Sequence, residues 1–320
     1  MFGALVAVPS VWGDSSTMNL FFFTLMYAVC ASAWNILGGY SGYISLGHAA
    51  FFGIGAYAIA ITFTRTGIGG GYRPFYVLPL VGIAGALISL PVGWIAFRTR
   101  AATFAIVTIS FLFVVQLLAF NLHSVTSGAQ GLAIPTPNFP VSSYEHPYYY
   151  AMLGLLAIAV FASWYVRGSK LGLALLSIRD DEDRARGLGV QTELAKLAAF
   201  AVSAGLIAMA GGLWAYYISF VYPQFAVDPL VTIGMVLMVY LGGRGTIWGP
   251  VLGAFILIPA QQELNDRLGA SSLYLVGYSA VFLVVMLVLP RGILPSLADQ
   301  IRRLRSRLHA AKREPEVVAQ

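Results

Sequence analysis

Arg167–Lys196 reads RGSKLGLALLSIRDDEDRARGLGVQTELAK, and its setting decides how the chain is arranged. It holds Arg167, Lys170, Arg179, Arg184, Arg186 and Lys196, six of the nineteen Lys and Arg residues, together with five of the thirteen carboxylates. On either side lie about twenty residues of nearly pure hydrocarbon, the length that crosses a bilayer core. A charged island between two such runs belongs in water at one face of a membrane. Leu173, Leu176 and the pair Ala185/Leu188 punctuate its strip of Arg and Asp, and Gly187 and Gly189 close it, so it reads as helix. Two uses of the island stay open: a foothold for a soluble partner, or a solvated loop whose charge only fixes topology.

Composition places the rest of the chain in the same setting. Apolar residues make up 58% of its 320 residues and charged residues 10%, less than half the roughly 25% of a soluble domain. Mean hydropathy is +0.78, and the fold class is all-α, a polytopic transmembrane helical bundle. The net charge of +6 resides in loops and tail, so it carries no nucleic-acid signal. Cys30, the single cysteine, lies inside an apolar run, which leaves no disulfide framework and no Cys-rich metal site. A signal peptide is not evident.

Outward from the island, Met1 to Trp12 is apolar but too short to span; it is either the end of a helix that starts upstream or a surface segment. Nine complete spans are expected: Met18–Leu37, Gly38–Phe63, Tyr76–Phe97, Ala101–Phe120, Tyr148–Val166, Leu197–Tyr217, Pro229–Gly243, Trp248–Leu264 and Ser272–Leu289. The second has glycines at 38, 39, 42, 47, 53 and 55. That density permits close helix contact or a break in the helix, tolerated at membrane depth only against protein or a water-filled cavity. With the island inside, only Arg65, Arg73 and Arg267 of the nineteen basic residues fall outside, and the long outer loop 121–147 has none. This is a strong positive-inside signal. Residues 1–294 form the transmembrane domain with its cytoplasmic loop 167–196. In the tail, 295–320, Ile301, Leu304, Leu308 and Ala311 at helical spacing among six basic residues predict an amphipathic helix on inner-leaflet lipid.

The sequence holds little chemistry of its own. None of Lys170, Lys196 or Lys312 has the glycines of a phosphate-binding loop, and the four histidines are scattered without a zinc spacing. Buried carboxylates of the kind that drive ion-coupled carriers are nearly absent. The chain reads as a pathway whose engine is another subunit, or as a passive channel; no cofactor, metal or catalytic residue is expected.

GGYSGYISLGHAAFFGIGAY (Gly38–Tyr57), KLGLALLSIRDDEDRARGLGV (Lys170–Val190) and LMVYLGGRGTIWGPVLGA (Leu237–Ala254) occur in order. Together they resemble the permease subunits of branched-chain amino-acid ABC importers. RTRAATFAIVTISF (Arg98–Phe111) and PRGIL (Pro290–Leu294) are similar to the LivM-type subunit rather than its LivH-type partner. The resemblance implies a bacterial inner-membrane importer with a homologous LivH-type permease, two cytoplasmic ATPases and a periplasmic binding protein, moving leucine, isoleucine or valine. Urea, short-chain amides or another small polar solute stay open as cargo.

The resemblance also implies that the island carries a coupling helix docking on the ATPase, placed at Leu173–Leu188. Arg179, Asp180, Asp181 and Glu182 would face the ATPase, with Ala185 and Gly187 allowing close approach. For the substrate pathway the expected residues are Ser45, Gly47, His48 and Gly53 in the Gly-rich span, with Thr232, Gly242 and Gly243 in the segment after Pro229. These are polar or backbone-exposing positions at membrane depth, able to meet a zwitterion's carboxylate and ammonium as broken transporter helices do.

Overall fold

The computed structural model describes residues 2–11, 14–66, 71–136, 139–140, 144–268, 280 and 292–297. Thirteen α-helices are defined among them: α1 (Phe2–Val11), α2 (Ser15–Trp34), α3 (His48–Thr66), α4 (Arg73–Ala96), α5 (Ala101–Asn121), α6 (His123–Thr126), α7 (His146–Gly168), α8 (Lys170–Asp180), α9 (Glu182–Gly187), α10 (Thr192–Ile218), α11 (Pro223–Ala226), α12 (Pro229–Gly242) and α13 (Gly249–Leu268). The expected helical class holds. Its exception is a two-residue antiparallel ribbon in the connections, β1 (Leu132–Ala133) with β2 (Phe220–Val221), pairing Leu132 with Val221 and Ala133 with Phe220.

The expected count of nine spans is not reached among the described residues. Six stretches among the described residues are long and apolar enough to cross a membrane: Ser15–Gly39, Arg73–Ala96, Ala101–Asn121, His146–Gly168, Thr192–Ile218 and Pro223–Gly242. α3 falls short because the Gly-rich stretch spends residues 42–47 as non-helical chain, so the helix starts only at His48 and closes on Arg65. α13 falls short because its end, QQELNDRL, is polar. Ser272–Leu289, the tail helix and most of domain 295–320 lie outside the described residues; a helical turn at 293–297 crosses the expected boundary at 294. The N-terminal segment forms α1, whose Leu5 and Val6 carbonyls accept hydrogen bonds from the Tyr149 and Tyr150 hydroxyls of α7.

Several helices start where the sequence supplies a cap. Asp14 accepts from the Thr17 N–H to open α2, Ser169 from Gly172 to open α8, and Asp228 from Leu230 to open α12. The interior is built on α10, which packs against α3, α4, α2 and α7. Gly55 of α3 lies against the Ala208 carbonyl and Gly211 of α10 against the Phe52 carbonyl, backbone contacts that any side chain would push apart. α4 and α5 are peripheral instead. They present Leu80, Ile83, Leu87, Ile106, Phe113 and Leu117 outward, an apolar surface suited to lipid or to a second membrane subunit.

Candidate functional site

α2 does not end where its hydrophobic run ends. It loosens into a π-helical turn, Asn35–Gly39, and the chain then reverses at Gly42, which has φ +78°. Gly38 and Gly39 make this possible: a Cβ at either would fall onto the Trp34 ring or the Asn35 side-chain amide. Residues 42–47 run back along α2 as irregular chain, tied by the Trp34 indole N–H donating to the Ser45 carbonyl at 2.9 Å. α3 therefore begins beside Trp34, part-way along α2 and deep in the bundle.

A helix start in such a place has orphan N–H groups and no water to satisfy them. Neighbouring helices do it instead. Thr108 Oγ1 of α5 accepts from the Leu46 N–H at 3.1 Å, and Thr232 Oγ1 of α12 accepts from the Ala49 N–H at 2.8 Å. Ser45 Oγ accepts from the Gly47 N–H at 3.4 Å. His48, fully buried, meets Ser203 Oγ of α10 through Nε2 at 2.9 Å and sits edge-on to Phe51 and Phe200. Its Nδ1 has no hydrogen-bond partner among the described residues.

A second break separates α12 from α13 at Gly243–Trp248. Gly243 takes φ +127° and Gly245 φ +76°, conformations that glycine alone adopts freely. Thr246 Oγ1 donates to the Gly243 carbonyl at 2.7 Å and accepts from the Gly249 N–H at 3.0 Å. The buried amide of Asn35 joins this break to the first. Its Oδ1 accepts from the Gly245 N–H and its Nδ2 donates to the Thr246 carbonyl, each at 2.9 Å.

From the island side, two arginines hold the same pair of breaks. Arg179 Nη1 of α8 donates to the Gly39 carbonyl at 3.1 Å, and Arg167 Nη1 of α7 donates to the Gly245 carbonyl at 2.8 Å. Lys196 of α10, fully buried, adds an ion pair to the half-buried Glu182, with Nζ 2.7 Å from Glu182 Oε1 and 3.2 Å from the Tyr43 hydroxyl, which itself donates to Glu182 Oε2. Burial tends to raise the Glu182 pKa, but the hydrogen bonds from Lys196 and Tyr43, with the charge of Lys196, hold it below the usual carboxylate range.

The structure brings together most of the residues singled out in the sequence. Ser45, Gly47, His48 and Thr232 gather at the first break, with Gly47 against the Thr108 carbonyl. Gly53 packs on Ala226 and Val227 beside α11. Gly242 packs on the Gly249 carbonyl, and Gly243 against the ring of Pro295.

The expected single helix Leu173–Leu188 is instead two, α8 and α9, because Asp181 turns extended at φ −163°, ψ 109° and caps the new helix through the Arg184 N–H. Leu173, Arg179, Asp180, Gly187 and Leu188 are exposed, Arg179 also reaching the Gly39 carbonyl through Nη1, whereas Ala185 is buried and Glu182 is half-buried against Lys196. Sequence reasoning missed Tyr43, Asn35, Thr108, Arg167 and Lys196 as site residues. Asn35 did give a signal, a lone amide at the end of an apolar run. At the opposite end of the bundle α2 and α13 enclose a cleft of about 600 Å³, lined by Ser16, Asn19, Tyr27, Gln262 and Glu263 among others.

A family model described as branched-chain amino acid transport system / permease component matches residues 16–290. The chain belongs to this family. The permease protein LivM of a high-affinity branched-chain amino acid transport system in Escherichia coli is 28% identical, over 93% of this chain and 75% of the relative. LivH of the same system in that organism is 25% identical over 84% of this chain and 91% of the relative. A shorter match, 33% identical over 32% of this chain and 31% of the relative, links the permease to LsrC of an autoinducer 2 import system in Salmonella paratyphi B. No solved structure matches. The permease is thus a multi-pass membrane protein and a transport subunit, not an enzyme, of an importer complex in which it acts beside a partner permease.

Proposed function

We propose that this permease forms one half of the path by which an ABC importer carries leucine, isoleucine or valine across the bacterial inner membrane. A LivH-type permease supplies the other half. A periplasmic protein delivers the amino acid, and two ATPases dock on the cytoplasmic island. The observation that carries this reading is the grip of Arg167 and Arg179 on the carbonyls of Gly245 and Gly39. Elements at the edge of the charged island are thereby hydrogen-bonded to both helix breaks, and a push on α8 and α9 reaches the depth where α3 begins. The outward residues Leu173, Asp180, Gly187 and Leu188 form the docking surface. Ser45, Gly47, His48 and Thr232 lie where the pathway narrows, with Gly53, Gly242 and Gly243 giving the close backbone approach around it.

Orientation follows the charge asymmetry. The island is cytoplasmic, and the cleft between α2 and α13 is the periplasmic mouth. Cys30 is the single cysteine and is buried, so introduced cysteines report cleanly. Asn121→Cys should label from outside and Gly187→Cys should not; reversed labelling refutes the sidedness.

The function is tested in vesicles carrying the two permeases and two ATPases with the binding protein. Labelled leucine should accumulate only with ATP and all components, and leucine, isoleucine and valine should compete while urea and ribose do not. Competition by urea or ribose alone would favour another small polar cargo and refute the branched-chain reading. Gly187→Trp, which adds bulk but no charge, should prevent co-purification of the ATPases at normal abundance. Wild-type recovery and uptake would leave the island with a topological role only.

A further inference from the structure

Among the described residues Lys196 is the one Lys, Arg, Asp or Glu that is fully buried, with its side chain 1% exposed. A buried ammonium is tolerated only with compensating partners, and here they come from three separate elements. Glu182 of α9 is the counter-ion at 2.7 Å. Tyr43, in the irregular segment that leads into α3, accepts from Nζ through its hydroxyl at 3.2 Å and places its ring 4.3 Å beneath the ammonium. Lys196 itself sits in the first turns of α10, the helix around which the bundle packs, and Phe97 covers the remaining side at 5.4 Å. The Tyr43 hydroxyl donates to the second oxygen of the same carboxylate, so each member of the triad touches the other two.

Glu182 is 21% exposed and has a second partner in Arg186 Nη2 at 3.4 Å, but Lys196 has no such outlet: parting from Glu182 would leave its buried ammonium without a counter-ion. Displacing α9 must then carry Tyr43 and the start of α10 with it. We propose that Lys196, with Glu182 and Tyr43, is a positioning device that makes movement of α9 move the segment 42–47 and hence the deep end of α3. It rests on the reading of α8 and α9 as the ATPase-docking surface. The arginine clasp reaches Gly39 and Gly245; this triad is a separate, buried route to the far side of the Gly42 reversal.

The test is transport per ATP hydrolysed in vesicles containing the whole importer, compared with the amount of assembled complex. Lys196→Met should lower that ratio about tenfold or more with the ATPases still recruited, and Lys196→Arg should restore most of it. Tyr43→Phe keeps the ring and the ion pair and should lower the ratio roughly threefold to tenfold. A merely structural triad would instead reduce the yield of assembled complex and leave the ratio unchanged. A wild-type ratio in Tyr43→Phe, with docking shown intact, overturns the proposal even where Lys196→Met fails to assemble. Failure of the docking reading shows separately, as normal ATPase recovery with Gly187→Trp.

Discussion

Two helix breaks are linked through Asn35, which lies in the turn leading into the first and hydrogen-bonds the second, yet they are built in opposite ways. The break at 42–47 ends deep in the bundle. The N–H groups at the start of α3 are satisfied largely by residues distant in sequence, Thr108 and Thr232. The break at 243–248 is largely self-sufficient: Thr246 closes it locally through Gly243 and Gly249, and its glycines supply the left-handed turns. Thr232 is buried, while Thr246 is half-buried. A break that depends on neighbouring helices changes when those helices move, and one that closes on itself travels as a unit. The first therefore responds to movement of α5 and α12, and the second keeps its own shape.

Removing the joint between them should have the largest effect. Asn35→Leu leaves the buried Gly245 N–H and the part-buried Thr246 carbonyl without that partner, a loss of roughly 2–4 kcal/mol. Thermal unfolding of the purified complex should fall clearly, and uptake with it. A wild-type midpoint would mean the two breaks are independent.

The contrast itself is measured by a matched pair of substitutions. Thr232→Val strips the cap from the buried Ala49 N–H and should cost about 1–3 kcal/mol. Thr246→Val should cost only about 0.5–1.5 kcal/mol, because water can reach the exposed side of that turn and replace the hydroxyl. Equal losses in the two variants would erase the distinction between a dependent break and a self-closed one.

The smallest effect expected is that of pH on the triad joining the island to the first break. The Glu182 pKa lies below its ordinary value, so its stabilising contribution is fully present above the unfolded-state pKa of about 4.3 and is lost as pH falls through the lower folded value. Coupling of transport to ATP should therefore be flat from about pH 5.5 to 8 as far as this carboxylate is concerned. A Glu182-dependent change within that window, abolished by Glu182→Gln, would show the pair to be weaker than its geometry implies.

Much of this was legible in particular residues. The run RDDEDR marked the island, and the glycines between 38 and 47 marked a break. The end of α2 was not legible, because nothing local tells a reader that Trp34 and Asn35 will fold over Gly38 and Gly39 and carry the helix past Leu37. The double carboxylate Asp180-Asp181 held a cap signal that periodicity overrode, so two helices read as one. Counting apolar residues assigned a whole span to Gly38–Phe63, since hydropathy does not show that residues 42–47 run as irregular chain sheltered by their neighbours.

The sequence by itself determined the solvent of this protein, its helical class and the place of the charged island. Those follow from sums over many residues, and no single contact alters them. Tertiary structure alone decided that Arg179 reaches the Gly39 carbonyl, that Glu182 pairs with a buried Lys196, and that threonines from α5 and α12 cap a helix beginning in the interior. The reason is physical: a backbone N–H or an ammonium shielded from water must find a partner wherever the fold places one, and that partner can lie anywhere in the chain.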